Sequence, residues 1–264
     1  MDVKSISRLC SEYRYSKNYK HWANCAGWNA PRVISKLILN GDLQNEPLNI
    51  LEIACHNGNL LDAMYRIPDL KNKIKRYTGL DVSRDALNKA RNKYPNHTFI
   101  ETNVLVEELS SNEKVLNDNN LIVCSGLFDY LGPVDIKRVL KLIETKLLKD
   151  KLARVYLNYP TTLPIYSIAV NNPLKAAESF YKEYDEYYGG APFEEDNVQC
   201  IVSTKNPVCF YRYALSEFSK LLDSINFEIV TSNSQSSLPK RPNDNVIAGM
   251  RAYNHICLKK KECL

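Results

Sequence analysis

The sequence contains few glycines and histidines and no long apolar run. Nine of its 264 residues are glycine and four are histidine. No window approaches the roughly 18 consecutive apolar residues that a membrane-spanning helix needs. The opening segment MDVKSISRL also lacks the apolar centre of a signal peptide. These absences predict a cytoplasmic protein that has no membrane partner.

The eight cysteines are scattered, and no two of them form a C-x-x-C pair or a spacing typical of zinc sites. Together with the scarcity of histidine, this predicts no metal site and favours reduced thiols. The net charge of +5 is small and spread along the chain, so it does not indicate a nucleic-acid partner. Composition leaves the oligomeric state open.

From residue 48 onward, short apolar runs alternate with segments of helical periodicity. We predict strands at 49–54, 76–82, 97–104 and 153–159, and a strand followed by a loop at 120–127. Helices are predicted between them at 59–67, 83–94 and 134–149. This alternation is typical of βαβ units and predicts an α/β fold with a mostly parallel sheet covered on both faces.

The C-terminal part adds a helix at about 214–225 and two strands, at 227–232 and 252–259. The polar segment between these strands is too short for a confident crossover helix, which favours a hairpin-like return. One strand of the sheet should therefore be antiparallel.

Composition changes along the chain suggest a single domain with two additions. Residues 1–45 are predicted to form a helical N-terminal cap, and residues 161–205, rich in proline, tyrosine and acids, a lid-like insertion. The core then consists of residues 46–160 and 206–264.

The segment LNILEIACHNGNL (48–60) is an apolar run closed by a polar loop with one glycine, Gly58. It lacks the G-x-G-x-x-G spacing that brings a pyrophosphate to a helix N-terminus. Glu52, near the end of the run, needs a partner if it is buried. A cationic ligand or backbone N–H groups could supply it. On its own, the loop could equally be a plain strand–helix turn.

Asp81 lies at the end of the second predicted strand, in YTGLDVSRDAL. A carboxylate at this position can accept hydrogen bonds from both hydroxyls of a ribose. It could instead cap the next helix, but Ser83 is better placed for that role. We therefore favour ribose binding.

In order and spacing, ILEIACHNGNL and YTGLDVSRDALNKA resemble the cofactor motifs of class I S-adenosylmethionine-dependent methyltransferases. That family usually reads E/D-x-G-x-G-x-G in the first loop and has an acid at the end of the second strand. FIETNV is similar to its third strand, and NNLIVCSGLFDYLGP to its fourth strand and the following loop. The resemblance implies a Rossmann-like, doubly wound sheet of seven strands, one of them antiparallel. It also implies S-adenosylmethionine as cofactor and S-adenosylhomocysteine as product.

The resemblance further implies which residues hold the cofactor: Tyr19, Glu52, Ala54, Asn57, Gly58, Asp81, Val82, Asn103, Val104 and Ser125. Two departures stand out. Ala54 and His56 occupy the places of the first two glycines, which predicts a shifted loop or weaker cofactor binding. Asn103 stands where an Asp commonly meets the adenine amine, so it keeps an oxygen acceptor but loses the charge. His56 either touches the cofactor carboxylate or is a surface or backbone-bonded residue.

A narrower similarity appears in YKHWANCAGWNAP (19–31). It resembles the Y-D-x(6)-G-Y-x-A-P segment of small-molecule methyltransferases of the Williams-Beuren and tetratricopeptide-associated kind. This implies a small-molecule methyl acceptor. Methyl transfer mainly requires that the acceptor be aligned with the electrophilic sulfonium methyl. A general base helps when the acceptor is a hydroxyl or amine, and the catalytic candidates are His21, Asp129 and Tyr130.

The segment ESFYKEYDEYYGG (178–190) places tyrosines at helical spacing before two glycines. It predicts a lid helix whose tyrosines pack on the sheet edge, line an acceptor pocket, or do both. The substrate-lining candidates are Tyr159, Tyr184 and Tyr188. Two alternatives stay open: a binding or scaffold protein that kept the fold and lost the chemistry, and, less favoured, a nicotinamide-dependent reductase.

Overall fold

The computed structural model describes residues 34, 47–105, 116, 118–128, 130–147, 153–160, 193–195, 198–202, 209–213, 215–236 and 252–261. The predicted N-terminal cap, apart from Ile34, lies outside these residues, and so does the tyrosine-rich segment 178–190. The division into cap, core and lid therefore stays a prediction.

The first half of the described chain alternates between strands and helices, as the sequence predicts. Its elements are β1 (Leu48–Ile53), α1 (Asn59–Tyr65), α2 (Pro68–Lys71), β2 (Ile74–Asp81), α3 (Arg84–Lys93), β3 (Thr98–Glu101), β4 (Leu121–Cys124), α4 (Pro133–Leu142), which continues into a π-helical turn (Ile143–Leu147), and β5 (Arg154–Pro160). The second half contains β6 (Phe193–Glu195), β7 (Val198–Val202), β8 (Cys209–Tyr213), α5 (Leu215–Asp223), β9 (Phe227–Ser236) and β10 (Ala252–Lys260).

Seven strands form one sheet in the order β3-β2-β1-β4-β5-β10-β9. The pairs β1–β2, β1–β4, β2–β3 and β4–β5 are parallel, whereas β10 runs antiparallel to both β5 and β9. The predicted α/β sheet with one antiparallel strand is thus confirmed, and so is the hairpin-like return. The strand order reverses between β1 and β4, which is where ligands bind in sheets of this type.

Both faces of the sheet are buried because alternate residues of each strand point to opposite sides. In β1, Leu51 and Ile53 pack in one apolar cluster, and Leu48 and Ile50 pack in the other. All four residues of β4, LIVC, are buried. Helices therefore cover the sheet on both sides, which explains why the strands read as continuous apolar runs.

Helix α3 begins as predicted. The Ser83 hydroxyl accepts a hydrogen bond from the backbone N–H of Ala86 at 3.3 Å, an N-cap that satisfies one of the first free amides of the helix. No helix in the described part of the chain is long and apolar enough to cross a membrane.

The structure corrects several element bounds. The strand predicted at 97–104 ends at Glu101, because the residues that follow form a loop at the edge of the sheet. Within 120–127 the strand is Leu121–Cys124 and a loop follows it, as predicted. Helix α2, which has only four residues, was not predicted. A second, antiparallel sheet in the order β6-β7-β8 was not predicted, since its strands are short and lack the βα rhythm.

Candidate functional site

A cleft opens at the carboxyl ends of β1 to β4, and its empty space, counted together with the solvent at its open side, is about 680 Å³. Its wall is largely apolar and includes Ile53, Leu80, Leu127 and Leu131. The loops that follow the four strands supply the rest of the lining. Because the strand order reverses here, neighbouring loops diverge and leave room for a ligand.

The loop after β1 has the backbone of a glycine-rich turn, although it contains one glycine. The φ angles of Ala54, His56 and Gly58 are 64°, 52° and 78°. These lie in the left-handed region that glycine enters freely and other L-residues enter at a cost. Ala54 and His56, at the places of two motif glycines, therefore have torsions that glycine adopts without strain. The predicted shift of the loop or weaker cofactor binding stays a prediction.

Asp81, at the end of β2, fastens this loop to the sheet. Its Oδ2 accepts the backbone N–H of His56 at 2.8 Å, and its Oδ1 accepts the N–H of Ser83 at 2.9 Å. The carboxylate is 7% exposed and lines the cleft. Asp81 thus supports the helix start as well as facing the cleft, while Ser83 provides the side-chain cap.

Glu52 lies beneath the loop and does not line the cleft. It is buried, and it accepts a hydrogen bond from the Tyr77 hydroxyl on β2. Burial is the main cause that raises the pKa of Glu52 to about 8, with the Tyr77 hydrogen bond opposing it and the negative charge of Asp81 adding to it. The partner of Glu52 is thus the phenol of Tyr77, in place of the cationic ligand or backbone amides expected from the sequence.

The loop after β4 is held by Asn158 of β5. The Asn158 Oδ1 accepts the N–H of Gly126 at 2.7 Å, and its Nδ2 donates to the Ser125 hydroxyl at 3.3 Å. Gly126 has φ 71° and lines the cleft, whereas Ser125 does not line it.

Two buried polar atoms near the cleft lack hydrogen-bond partners among the described residues. They are the Nδ2 of Asn103, which lines the cleft, and the Oδ1 of Asn57 in the loop after β1. A buried polar group in this state costs free energy until a ligand or water satisfies it. Both residues are therefore suited to a polar ligand.

The structure brings together part of the predicted site. The predicted residues that line the cleft are Ala54, Asp81, Val82, Asn103, Val104 and Tyr130. Gly58 shapes the loop through its backbone, and a Cβ there would meet the Tyr94 ring at 3.2 Å. Five predicted residues lie outside the described part of the chain: Tyr19, His21, Asp129, Tyr184 and Tyr188.

Tyr159 lies in the core instead of the cleft. It is fully buried, and its ring stacks on Phe218 with the centroids 3.9 Å apart. Val155, Leu157 and Tyr159 alternate along β5 and belong to the same apolar cluster. Strand alternation therefore points the Tyr159 ring at the covering helix α5.

His56, for which a cofactor contact was one of two interpretations, lines the cleft. Several other cleft residues were not selected from the sequence, among them Gly126, Leu127 and Leu131. The motif SGLFDYLG was assigned to the loop beside the cofactor, so Gly126 and its neighbours could have been found there. The apolar wall residues gave no distinct signal, because they read like any core leucine. In the described ranges, no group of three potential metal ligands occurs.

Residues 50–150 match a family model described as a methyltransferase domain. That match begins within β1 and runs past α4, so it includes the loops that build the cleft. The seven-stranded sheet with its single antiparallel strand has the architecture that the resemblance implies. Residues 50–150 are thus similar to a methyltransferase domain, and the chain has the fold of the class I S-adenosylmethionine-dependent methyltransferases.

Solved structures with similar folds include a methyltransferase from Anabaena variabilis, which is 17% identical, with 99% of this chain and 96% of that chain covered and a TM-score of 0.64. The 1,6-didemethyltoxoflavin-N1-methyltransferase of Burkholderia thailandensis is 12% identical, with 96% and 88% covered and a TM-score of 0.60. At these identities the likeness concerns the fold. No curated protein shows significant sequence similarity to this chain.

The predicted cofactor, S-adenosylmethionine, agrees with the methyltransferase domain and with the S-adenosylmethionine and S-adenosylhomocysteine bound in solved structures of this fold. The residues in and around the cleft fit such a ligand. Asp81 offers a carboxylate for hydroxyl groups, the apolar wall suits a flat base, and the buried Oδ1 of Asn57 and Nδ2 of Asn103 can each pair with a polar atom. The narrower resemblance to Williams-Beuren-type enzymes stays a prediction.

Proposed function

We propose that the chain catalyses methyl transfer from S-adenosylmethionine to the oxygen or nitrogen of a small-molecule acceptor. The observation that carries this proposal is the position of Asp81. It faces a cleft at the switch point of the sheet and also fastens a loop of left-handed turns. This combination supports a cofactor with a ribose and argues for retained binding despite the missing glycines.

We assign the cofactor contacts by element. Asp81 accepts the ribose hydroxyls, and Val82 and Val104 contact the base. The loop from Ala54 to Gly58, with Asn57, holds the amino acid end of the cofactor, and Ser125 lies next to the Gly126 backbone that lines the cleft. Glu52 lies beneath the loop and supports it through its hydrogen bond to Tyr77, without contacting the cofactor.

When bound, S-adenosylmethionine supplies a methyl group made electrophilic by the sulfonium. The chain then has to align an acceptor and exclude water. The apolar side chains of Leu127 and Leu131 keep one wall of the cleft dry, and we propose that Tyr130, which lines the cleft, orients the acceptor. Roles for His21 and Asp129 as bases remain predictions.

A small-molecule acceptor is supported by the resemblance of the segment 19–31. A solved structure with the same fold, a 1,6-didemethyltoxoflavin-N1-methyltransferase, contains bound 1,6-didemethyltoxoflavin and S-adenosylhomocysteine. The predicted enclosure of the acceptor by the N-terminal segment and by Tyr184 and Tyr188 belongs to this proposal. We also propose the predicted cytoplasmic location, and no nucleic-acid partner.

Calorimetric titration with S-adenosylhomocysteine tests cofactor binding. We expect saturable binding to the wild-type protein and a loss of about tenfold or more in Asp81→Ala, corresponding to about 1.4 kcal/mol. Asp69→Ala, which removes an exposed carboxylate on α2, is the matched control and should bind like wild type. Thermal melts check that Asp81→Ala is folded. If it is not, Asp81→Asn replaces it. Absent or unchanged binding would contradict the proposed site.

Transfer of a labelled methyl group tests the acceptor class. Purified protein is incubated with methyl-labelled S-adenosylmethionine and a fraction of small metabolites, RNA or protein. We expect label in the small-molecule fraction. Label in RNA or protein would refute the acceptor class, and cofactor binding without any transfer would favour the scaffold alternative.

A further inference from the structure

Three buried polar side chains form a network between strand β10 and the loop after β4. Asn158 and His255 lie opposite each other in the pairing of β5 with β10, and Tyr156 is two residues before Asn158 on β5. Residues that are directly opposed across two strands, or two apart along one strand, point to the same face of a sheet. All three side chains are at most 2% exposed, so their polar atoms have to be satisfied inside the protein.

Hydrogen bonds join the three residues of this polar network and extend it to the cleft. The Tyr156 hydroxyl lies 2.5 Å from Nδ1 of His255, and the side chain of Asn158 is hydrogen-bonded to the same hydroxyl. The Oδ1 of Asn158 accepts the N–H of Gly126 at 2.7 Å, and its Nδ2 donates to the Ser125 hydroxyl at 3.3 Å. Because Gly126 lines the cleft, the network connects His255 to the wall of the cleft.

The backbone amide of Gly126 fixes the direction of each bond in the network. A backbone N–H only donates, so Asn158 presents its oxygen to Gly126 and its NH₂ group to Tyr156. The Tyr156 oxygen accepts from that group, and its O–H donates to Nδ1 of His255. Nδ1 is therefore an unprotonated acceptor, which places the proton of the ring on Nε2. Burial lowers the pKa of His255 and so favours this neutral form.

Loss of the acceptor at position 255 would disturb the network as far as the cleft. The Tyr156 hydroxyl would then have to donate elsewhere, and within the network the remaining acceptor is the Oδ1 of Asn158. Turning the Asn158 amide toward Tyr156 would set its NH₂ group against the N–H of Gly126. The loop after β4 would thereby lose the bond that fastens it to β5.

We propose that His255 is a positioning residue, which acts through Tyr156 and Asn158 to hold the Gly126 backbone in the place that cofactor binding requires. This inference rests on the proposed function. His255 lies two strands away from β4 in the sheet and does not touch the cofactor. Its contribution is an acceptor atom at Nδ1, so another neutral acceptor at this position should replace it.

Calorimetry with S-adenosylhomocysteine tests this role. His255→Leu has no acceptor and should bind about three- to tenfold more weakly than wild type, whereas His255→Gln retains one and should stay within about twofold. Combining His255→Leu with Tyr156→Phe should restore most of the lost affinity, because the competing hydroxyl is then absent. A residue that only packs would give a double variant at least as weak as His255→Leu, which would contradict the proposal.

His97→Leu is the matched control, because it also removes a histidine that is hydrogen-bonded to a tyrosine, Tyr65. It should bind S-adenosylhomocysteine like wild type. An equal loss in His97→Leu and His255→Leu would show that the effect is one of general stability, and the proposed role of His255 would be wrong.

Two measurements without cofactor separate this inference from the proposed function. Nitrogen NMR of wild type should show Nδ1 of His255 unprotonated, and a proton there would refute the network. Hydrogen exchange of the Gly126 amide should be about threefold or more faster in His255→Leu, relative to the Cys55 amide, which is bonded to the Leu80 carbonyl at 2.9 Å. An unchanged ratio would refute the role of His255 in holding the loop.

Absence of binding to wild type would refute the proposed function, and with it the role of His255 in cofactor binding. If wild type binds and His255→Leu binds equally well, only the inference about His255 is wrong. If His255→Leu does not fold, the double variant with Tyr156→Phe takes its place. Affinity near that of wild type then supports the proposal, and a loss of about tenfold or more contradicts it.

Discussion

The backbone of Ala54 shows that a glycine-poor motif can keep a glycine-type loop. Its φ of 64° and that of His56, 52°, lie in the left-handed region. There an L-residue pays about 1–2 kcal/mol because its Cβ approaches the following carbonyl oxygen. The hydrogen bond from the His56 N–H to Asp81 offsets part of this cost. Hydrogen bonds to the sheet therefore stabilise a loop conformation that Ala54 and His56 do not favour by themselves.

Replacing Ala54 with glycine should raise the free energy of unfolding by up to about 1 kcal/mol, because the relief of strain exceeds the added freedom of the unfolded chain. Urea denaturation measures this. Ala86→Gly is the control: Ala86 is buried in helix α3, and glycine there should lower the free energy of unfolding by about 1 kcal/mol or more. Equal losses for both variants would show that position 54 is not strained.

Glu52 should make the protein less stable as the pH rises from about 5 to 8. Its native pKa of about 8 lies above the ordinary value of 4.5, so between these values the native state holds a proton that the unfolded state has released. Stability therefore falls with rising pH in that window, by up to roughly 4 kcal/mol. Glu52→Gln cannot titrate and should remove this decline, as measured by denaturation at a series of pH values.

Tyr77→Phe provides the comparison for Glu52. The Tyr77 hydroxyl opposes the upward shift of the Glu52 pKa, so its removal should extend the decline to higher pH. If the stability of Glu52→Gln changed with pH in the same way as that of wild type, the Glu52 carboxyl would not titrate in this range.

At the scale of elements, Asn158 couples strand β5 to the loop after β4. Asn158→Ala leaves the buried N–H of Gly126 without its acceptor, which should cost about 1–3 kcal/mol of stability. It should also weaken the binding of S-adenosylhomocysteine, because Gly126 lines the cleft. Chemical denaturation and calorimetry measure the two effects.

Two variants complete the Asn158 test. Asn88→Ala removes an exposed amide bonded to Arg91 on α3 and should change stability by less than about 0.5 kcal/mol. Asn158→Asp keeps the acceptor for Gly126 and loses the donor to Ser125, so its binding should be intermediate. Unchanged binding in Asn158→Ala would show that the loop keeps its position without this residue.

The strands were predictable from the sequence because they are buried on both faces and rich in β-branched or aliphatic residues. The end of β3 was not, since the apolar residue Val104 lies beyond it and lines the cleft. Periodicity cannot separate an apolar residue in a strand from one in a ligand wall. The short strands of the second sheet gave no usable period.

At the scale of the whole molecule, strand order brings together residues that are far apart in the sequence. Asp81 and Asn103 could be assigned to the site because parallel strands end at the same edge of the sheet. Side-chain partners could not be predicted in this way. In the pairing of β1 with β2, Glu52 lies opposite Gly79, and Tyr77 is two residues before Gly79 on the same strand. Tyr77 reaches Glu52 because of this register, which the sequence alone does not give.

The antiparallel strand β10 contains a buried histidine, His255, and the stability of the protein depends on its protonation. The hydroxyl of Tyr156 on β5 is hydrogen-bonded to Nδ1 of His255, while Nε2 is buried without a partner among the described residues. Burial lowers the pKa of His255 to about 4, from an ordinary value of 6.5. His255 is therefore neutral in the native state at neutral pH.

His255 should reduce stability as the pH falls from 6.5 to about 4, because in that window the unfolded state binds a proton that the native state does not. The loss should reach roughly 3 kcal/mol. The glutamine of His255→Gln stays neutral and can accept a hydrogen bond from Tyr156, so this pH-dependent loss of stability is absent. The free energy of unfolding of the variant should therefore rise relative to that of wild type as the pH is lowered. Denaturation between pH 4 and pH 7.5 measures the difference.

His97 provides the internal comparison. Burial also lowers its pKa, but the ring is only partly buried, so His97→Gln should show the same trend with a smaller gain. The opposite dependences of Glu52 and His255 overlap between about pH 5 and 6.5, where they largely cancel. A double variant, Glu52→Gln with His255→Gln, should therefore have a flatter stability profile than either single variant, and a steeper one would show that other groups control the pH response.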